Sequence, residues 1–155
     1  MKTEFAIITT TYERPLEIMR CLESAQNQTY KNFKHIIVND SPAANYSKLE
    51  EKVSTLSNVI YIKNENNLGK NASVNKVFQI LKSENFSDYI IFLDDDDWLD
   101  PDCLLNFENE IQTHSKPTWL VSNRALESGI SITKNKTNKN KINYYWDYLI
   151  TRKFS

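Results

Sequence analysis

Residues 88–101 read DYIIFLDDDDWLDP, an apolar run that meets four consecutive aspartates and then a tryptophan. YIIFL (89–93) has no polar alternation and is too short for a helix, so it reads as a strand buried on both faces. Working outward, runs of the same kind recur: EFAIITT (4–10), HIIV (35–38) and VIYIK (59–63) before it, and TWLVS (118–122) after it. Segments with helical spacing separate them. Leu16, Met19, Leu22 and Ala25 follow Pro15; a weaker pattern covers 46–56; Val74, Val77, Phe78 and Leu81 form a third; a fourth opens at Pro101 and runs to 113. Four strand–helix alternations with continuously apolar strands predict an α/β fold, a mostly parallel Rossmann-like sheet with helices on both faces.

The bulk composition narrows the class. A chain of 155 residues suits one domain with a sizeable core. A formal net charge of −1 supplies no basic field for nucleic acid. From 134 to 155, however, six Lys/Arg face the single acid Asp147, and KNKTNKNK (134–141) has no apolar residue. The domain is therefore read as 1–133, with 134–155 a basic, aromatic tail. No run reaches the roughly 18 apolar residues of a membrane span, and the short apolar start is soon followed by Glu13 and Arg14, unlike a signal peptide. Cys21 and Cys103 stand far apart without a CxxC, which reads as two buried thiols in a reducing, cytoplasmic setting. With only two glycines, turns fall to Asn, Asp and Ser.

Ligands of such sheets bind outside the carboxyl ends of the strands. The polar residues expected there are Thr10–Tyr12, Asn39–Asp40, the loop 64–71 and Asp94–Asp97, all on one rim. Carboxylates about 4 Å apart repel by roughly 4 kcal/mol at an effective dielectric of 20, so the acidic run calls for a cation. In an extended chain Asp94 and Asp96 share one side, and Asp95 and Asp97 the other. A D-x-D pair can hold Mg²⁺ or Mn²⁺ and leave positions open for phosphate oxygens. Asp100 and Asp102 are better explained as acids at the start of the following helix. Rival motifs fail on spacing. An EF-hand needs Gly where Leu99 stands, a Walker A loop needs Ser or Thr at Asn71 and Gly at Asn64, and no G-x-G-x-x-G exists.

Taken in order, IITTTYERP (7–15), SAQNQTYKNFKHIIVNDSP (24–42), NNLGKNASVNKV (66–77) and IIFLDDDDWLDPD (90–102) resemble the nucleotide-binding half of a family 2 glycosyltransferase of the GT-A fold. The resemblance covers roughly 4–105. It implies that Thr10, Tyr12 and Asp40 hold the uracil of a UDP-sugar and that Lys70 and Asn75 face the nucleotide. It also implies that Asp94 lies near the ribose, that Asp95 is among the nucleotide-binding residues, and that Asp96, with Asp94, holds Mn²⁺ or Mg²⁺. The implied reaction is sugar transfer, with inversion, to a saccharide or lipid-linked acceptor in bacterial surface-polysaccharide synthesis. The chemistry is consistent: a divalent cation stabilises a diphosphate leaving group, an aspartate accepts from an imide N–H, and an aromatic ring stacks on a base.

An inverting enzyme also needs a base to deprotonate the acceptor. Beyond 122 the acids are Glu127 and Asp147, and Asp147 is the candidate, although its place between Trp146 and Tyr148 suits a helix surface better than a base. In the tail, Ile142, Tyr145, Tyr148 and Leu149 suit a helix packed on the body; with the flanking Lys and Arg they also suit a peripheral contact at the inner membrane face. His35 and His114 read as solvated or core-edge residues, and Trp98 as packing beneath the acidic loop. Two other functions fit the layout. One is a non-catalytic nucleotide-binding module or truncated donor-binding half. The other is a sugar nucleotidyltransferase, against which the glycine-free TTTYERP counts.

Overall fold

The computed structural model describes residues 2–86, 88–114, 119–120 and 150–152. Strands β1 (Phe5–Thr11), β2 (Phe33–Asn39), β3 (Val59–Lys63) and β4 (Tyr89–Phe92) alternate with helices α1 (Glu17–Gln26), α2 (Ser47–Ser54), α3 (Lys70–Ser83) and α4 (Cys103–Thr113). The short strands β5 (Trp119–Leu120) and β6 (Ile150–Arg152) complete a six-stranded sheet in the order β3-β2-β1-β4-β6-β5. The first four strands are mutually parallel, with Phe5 opposite Phe33 on one side and Tyr89 on the other. β6 runs antiparallel to β4, and β5 antiparallel to β6. The α/β, mostly parallel expectation holds, and the fifth strand joins through an antiparallel pair rather than by another parallel crossover.

The strand pleat sorts the apolar residues into two cores. Phe5, Ile7, Ile37, Tyr89 and Ile91 pack with Ile18 and Leu22 of α1, Leu49 of α2, and Leu104 and Ile111 of α4. Ala6, Ile8, Ile36, Val38 and Ile90 pack with Val77 and Leu81 of α3. Central strands covered on both faces need the unbroken apolar runs seen in the sequence. β3 lies at the sheet edge, and its residues are accordingly half-buried to exposed.

Two histidines behave differently. His35 is not at the core edge but fully buried, because β2 is an interior strand between β1 and β3. Its Nε2 lies 2.9 Å from Thr9 Oγ1, and burial pushes its pKa down to about 3, so the ring is neutral. His114 is exposed, 3.1 Å from Glu110. Cys21 is buried and Cys103 half-buried; burial pushes both thiols up to about 12, which leaves them inert at neutral pH. Trp98 is not a buried packing residue. It is 39% exposed, with the Arg20 guanidinium 3.3 Å from its ring centroid. The helix expected from Ile142, Tyr145, Tyr148 and Leu149 lies outside the described residues, as do Glu127 and Asp147; the three residues after Leu149 form β6.

Candidate functional site

The order β3-β2-β1-β4 reverses direction at β1, whose neighbours β2 and β4 follow in opposite senses, and this switch point opens a crevice at the strand ends. A cavity of about 420 Å³ lies there, lined by Thr10, Thr11, Tyr12, Arg14, Asp40, Lys70, Asp94, Asp95 and Asp96. Seven of the residues singled out in the sequence therefore converge: Thr10, Tyr12, Asp40, Lys70, Asp94, Asp95 and Asp96. Asn75 is not among the lining residues. It is an exposed residue of α3, five positions beyond Lys70 and therefore about 7.5 Å further along the helix.

The acidic run is a turn and not an extended strand. β4 ends at Phe92, and the Asp97 N–H donates to the Asp94 carbonyl at 3.1 Å. This i to i+3 closure removes the expected two-sided alternation and brings Asp94, Asp95 and Asp96 to one cavity. Each carboxylate meets a cation. Lys70 Nζ lies 2.5 Å from Asp94 Oδ1, whereas Arg14 Nη1 bridges Asp95 Oδ1 at 3.2 Å and Asp96 Oδ2 at 2.6 Å. Asp94 and Asp96 remain 52% exposed, while Asp95 is buried. Burial raises the Asp95 pKa above its ordinary value, although a hydrogen bond with Thr11 and the Arg14 charge work the other way. Asp95 and Asp96 together raise the Arg14 pKa, so its guanidinium stays charged.

Asp40 occupies a different setting. It is 3% exposed, and its carboxylate accepts from Asn64 Nδ2 at 2.7 Å, Leu68 N at 2.9 Å and Gly69 N at 2.7 Å. Burial alone would raise its pKa; these donors, with Ser73, outweigh burial and hold the carboxyl below its ordinary value. Asn64 itself spans Asp40, Ser73 Oγ at 2.9 Å and Lys76 Nζ at 2.7 Å. The network fixes the loop between β3 and α3. Gly69, at φ +81°, makes the entry to α3 that a side chain would resist, and Lys70 follows it into the cavity.

The loop after β1 is held as firmly. Glu13 is a non-glycine residue at φ 56°, a conformation of order 1 kcal/mol or more above the helical and strand regions. Its N–H donates to Ser41 Oγ at 2.6 Å, and the Arg14 N–H to Tyr46 Oη at 3.0 Å. Tyr46 is buried and also bonds Thr11 Oγ1 at 2.9 Å. Arg14 is a cleft residue that the sequence motifs do not single out. The signal for it is a lone arginine in the loop after the first strand, on the same rim as the acids.

The residues present suit a divalent cation. Among the described residues no three His, Cys, Asp or Glu side chains form a closed cage. Magnesium does not need one, since it binds through one or two carboxylates and completes its shell with water and phosphate oxygens, and manganese takes the same oxygen ligands. The half-exposed Asp94 and Asp96 supply such oxygens on a turn open to solvent.

Fold and rim together define an α/β domain with an acidic cleft at the strand ends. The model for "Glycosyl transferase family 2" matches residues 6–150, and the chain belongs to that family. It is 33% identical over 116 residues to the putative glycosyltransferase EpsH of Bacillus subtilis, covering 75% of this chain and 32% of that protein. It is 32% identical over 139 residues to the UDP-Glc:alpha-D-GlcNAc-diphosphoundecaprenol beta-1,3-glucosyltransferase WfaP of Escherichia coli, covering 90% of this chain and 53% of WfaP. The chain thus spans between about a third and a half of these relatives. Among solved structures, S. aureus TarS 1–349 in complex with UDP superposes with a TM-score of 0.65 at 21% identity, over 79% of this chain and 38% of that one. The mannosyltransferase PcManGT from Pyrobaculum calidifontis, in complex with GDP-Man and Mn²⁺, gives 0.59 at 17% identity, over 76% and 34%. Both likenesses establish the fold. Among the described residues no helix is long and apolar enough to cross a membrane.

Proposed function

We propose that this chain is the donor-binding part of a glycosyltransferase that takes a UDP-sugar and passes the sugar, with inversion, to a saccharide or lipid-linked acceptor in surface-polysaccharide synthesis. One observation carries the reading: loops from four strand ends bring four carboxylates and two cationic side chains into one cleft. The names of the relatives support it, since WfaP is a UDP-glucose-dependent glucosyltransferase acting on a diphosphoundecaprenol-linked sugar.

Tyr12, 46% exposed at the cleft, offers a face on which a uracil can stack. Asp40 Oδ2 carries one hydrogen bond from Gly69 and has a second lone pair for the imide N–H. Asp94 and Asp96 would hold Mn²⁺ or Mg²⁺, which when bound supplies Lewis-acid stabilisation of the departing diphosphate. Lys70 adds a mobile positive charge beside it. The acceptor's proton needs a base, and Asp147 is the candidate for that role.

The test is calorimetry with UDP and Mn²⁺, followed by assays of UDP-sugar hydrolysis and transfer. Metal-dependent UDP binding with slow hydrolysis is the expected result for residues 1–155. Robust transfer to an added acceptor by this chain would show that it carries an acceptor site as well. No UDP binding at all would overturn the proposal.

A further inference from the structure

We infer that Arg14 and Lys70 are built-in counter-ions of the acidic turn, exchanged for a divalent cation when the donor binds and then turned onto the diphosphate. The inference rests on the donor-binding reading above and concerns how this chain's own side chains set the coupling between metal and nucleotide.

One oxygen of each carboxylate suited to a cation is already engaged. Arg14 Nη1 sits 2.6 Å from Asp96 Oδ2, and Lys70 Nζ sits 2.5 Å from Asp94 Oδ1. A magnesium or manganese ion bound to either oxygen would lie about 2.1 Å from it, in the space the nitrogen now fills. Two positive centres that close repel strongly at an effective dielectric of 20, so ion pair and metal bond exclude each other at that oxygen. The side chains are able to leave. Arg14 is 49% exposed and Lys70 60% exposed, and half-exposed ion pairs of this kind are weakly held. Asp95 is the exception: it is buried, and Thr11 gives it a partner that stays when Arg14 moves.

Charge balance supplies the coupling. With all four cleft carboxylates ionised, Asp40, Asp94, Asp95 and Asp96 against Arg14 and Lys70 leave two net negative charges. A divalent cation alone would bring the cleft only to neutrality, whereas a diphosphate diester alone would leave it with four negative charges. Bound together they add nothing, and the starting balance is restored. The displaced guanidinium and ammonium then face an acceptor that suits them, since phosphate oxygens take charge-assisted hydrogen bonds from both. The placement of Arg14 has a local cause. The left-handed Glu13 and the bonds to Ser41 and Tyr46 fix the backbone from which it reaches the turn, and strain of this kind persists where surrounding structure over-determines it.

The test uses Arg14→Gln and Arg14→Lys beside the wild type, with folding checked by circular dichroism. Mn²⁺ binding is read by electron paramagnetic resonance, and UDP binding at saturating Mn²⁺ by calorimetry. Removing the competing cation should tighten Mn²⁺ alone roughly three- to fivefold in Arg14→Gln, the scale of an exposed ion pair. It should weaken UDP in the presence of Mn²⁺ by a similar or larger factor. Arg14→Lys should fall between. Tighter Mn²⁺ without weaker UDP would mean that Arg14 only repels the metal, and would overturn the inference. In the wild type, the ¹⁵N-labelled Arg14 guanidinium resonance should shift when Mg²⁺ and UDP are added together; an unmoved resonance would equally overturn it. A wild type that binds neither Mn²⁺ nor UDP would instead remove the donor-binding reading itself.

Discussion

Asp40 shows how one residue can serve the fold and the proposed ligand at once. Its carboxylate gathers donors from Asn64, Leu68 and Gly69, so Asp40→Ala strands buried groups at about 1–3 kcal/mol each. The variant should lose stability in urea and bind UDP 1–3 kcal/mol more weakly, about the cost of an unpaired buried polar group. Unchanged calorimetric UDP affinity would remove Asp40 from the nucleotide site while leaving its structural role standing. His35 permits a pH prediction of definite sign. Its folded pKa, about 3, lies below the unfolded value near 6.5, so the unfolded chain takes up the proton first. Stability should be full above about pH 6.5 and fall by up to roughly 1.4 kcal/mol per pH unit as pH drops toward 3. Asp40, held below its ordinary value, loses its contribution in the same direction at lower pH. His35→Gln, which can keep a bond to Thr9 without titrating, should flatten the profile between pH 6 and 4. Identical slopes would show that other groups carry the acid sensitivity.

At the scale of elements, α4 provides a sharp contrast between neighbours. Leu104 is fully buried against the sheet, whereas Leu105 is 38% exposed on the next helical position. Leu104→Ala should cost about 2–5 kcal/mol and Leu105→Ala within about 0.5 kcal/mol, measured by urea unfolding. Comparable costs would mean that the register of α4 is different. This helix was legible in advance because Pro101 and the apolar spacing mark it. The four buried strands were legible because double-sided burial demands unbroken β-branched runs, and strand-end chemistry made seven cleft residues legible too. Other features depend on geometry that local sequence does not carry. The turn at Asp94–Asp97 depends on where β4 stops, and the antiparallel β5–β6 pair on a partner some thirty residues away. The full burial of His35 depends on strand order, and the role of Arg14 on a loop whose left-handed Glu13 no propensity predicts.

For the whole molecule, the acidic turn should make the fold's stability depend on metal and nucleotide together. A ligand that binds only the folded state stabilises it by mass action, by about 2.7 kcal/mol at one hundred times its Kd. For a chain of this size each kcal/mol corresponds to about 2–4 °C, so saturating Mn²⁺ and UDP together should raise the Tm by roughly 5–10 °C. UDP alone should raise it much less, because it adds negative charge to an already negative cleft, and so should Mn²⁺ alone, because it must displace Arg14 and Lys70 with no diphosphate to take them up. Asp96→Asn should abolish the coupling: it removes a half-exposed carboxylate proposed to hold the cation and frees Arg14 from half of its bridge. Asp97→Asn should retain most of it, since Asp97 does not line the cleft and its backbone N–H still closes the turn on Asp94. Thermal melts of the three proteins, each with neither, one or both ligands, decide the matter. Equal metal-plus-UDP shifts in the wild type and Asp96→Asn would refute the metal role of the acidic turn. A loss of coupling in Asp97→Asn as large as in Asp96→Asn would instead show that the turn's overall charge, and not the two cleft-facing carboxylates, holds the cation.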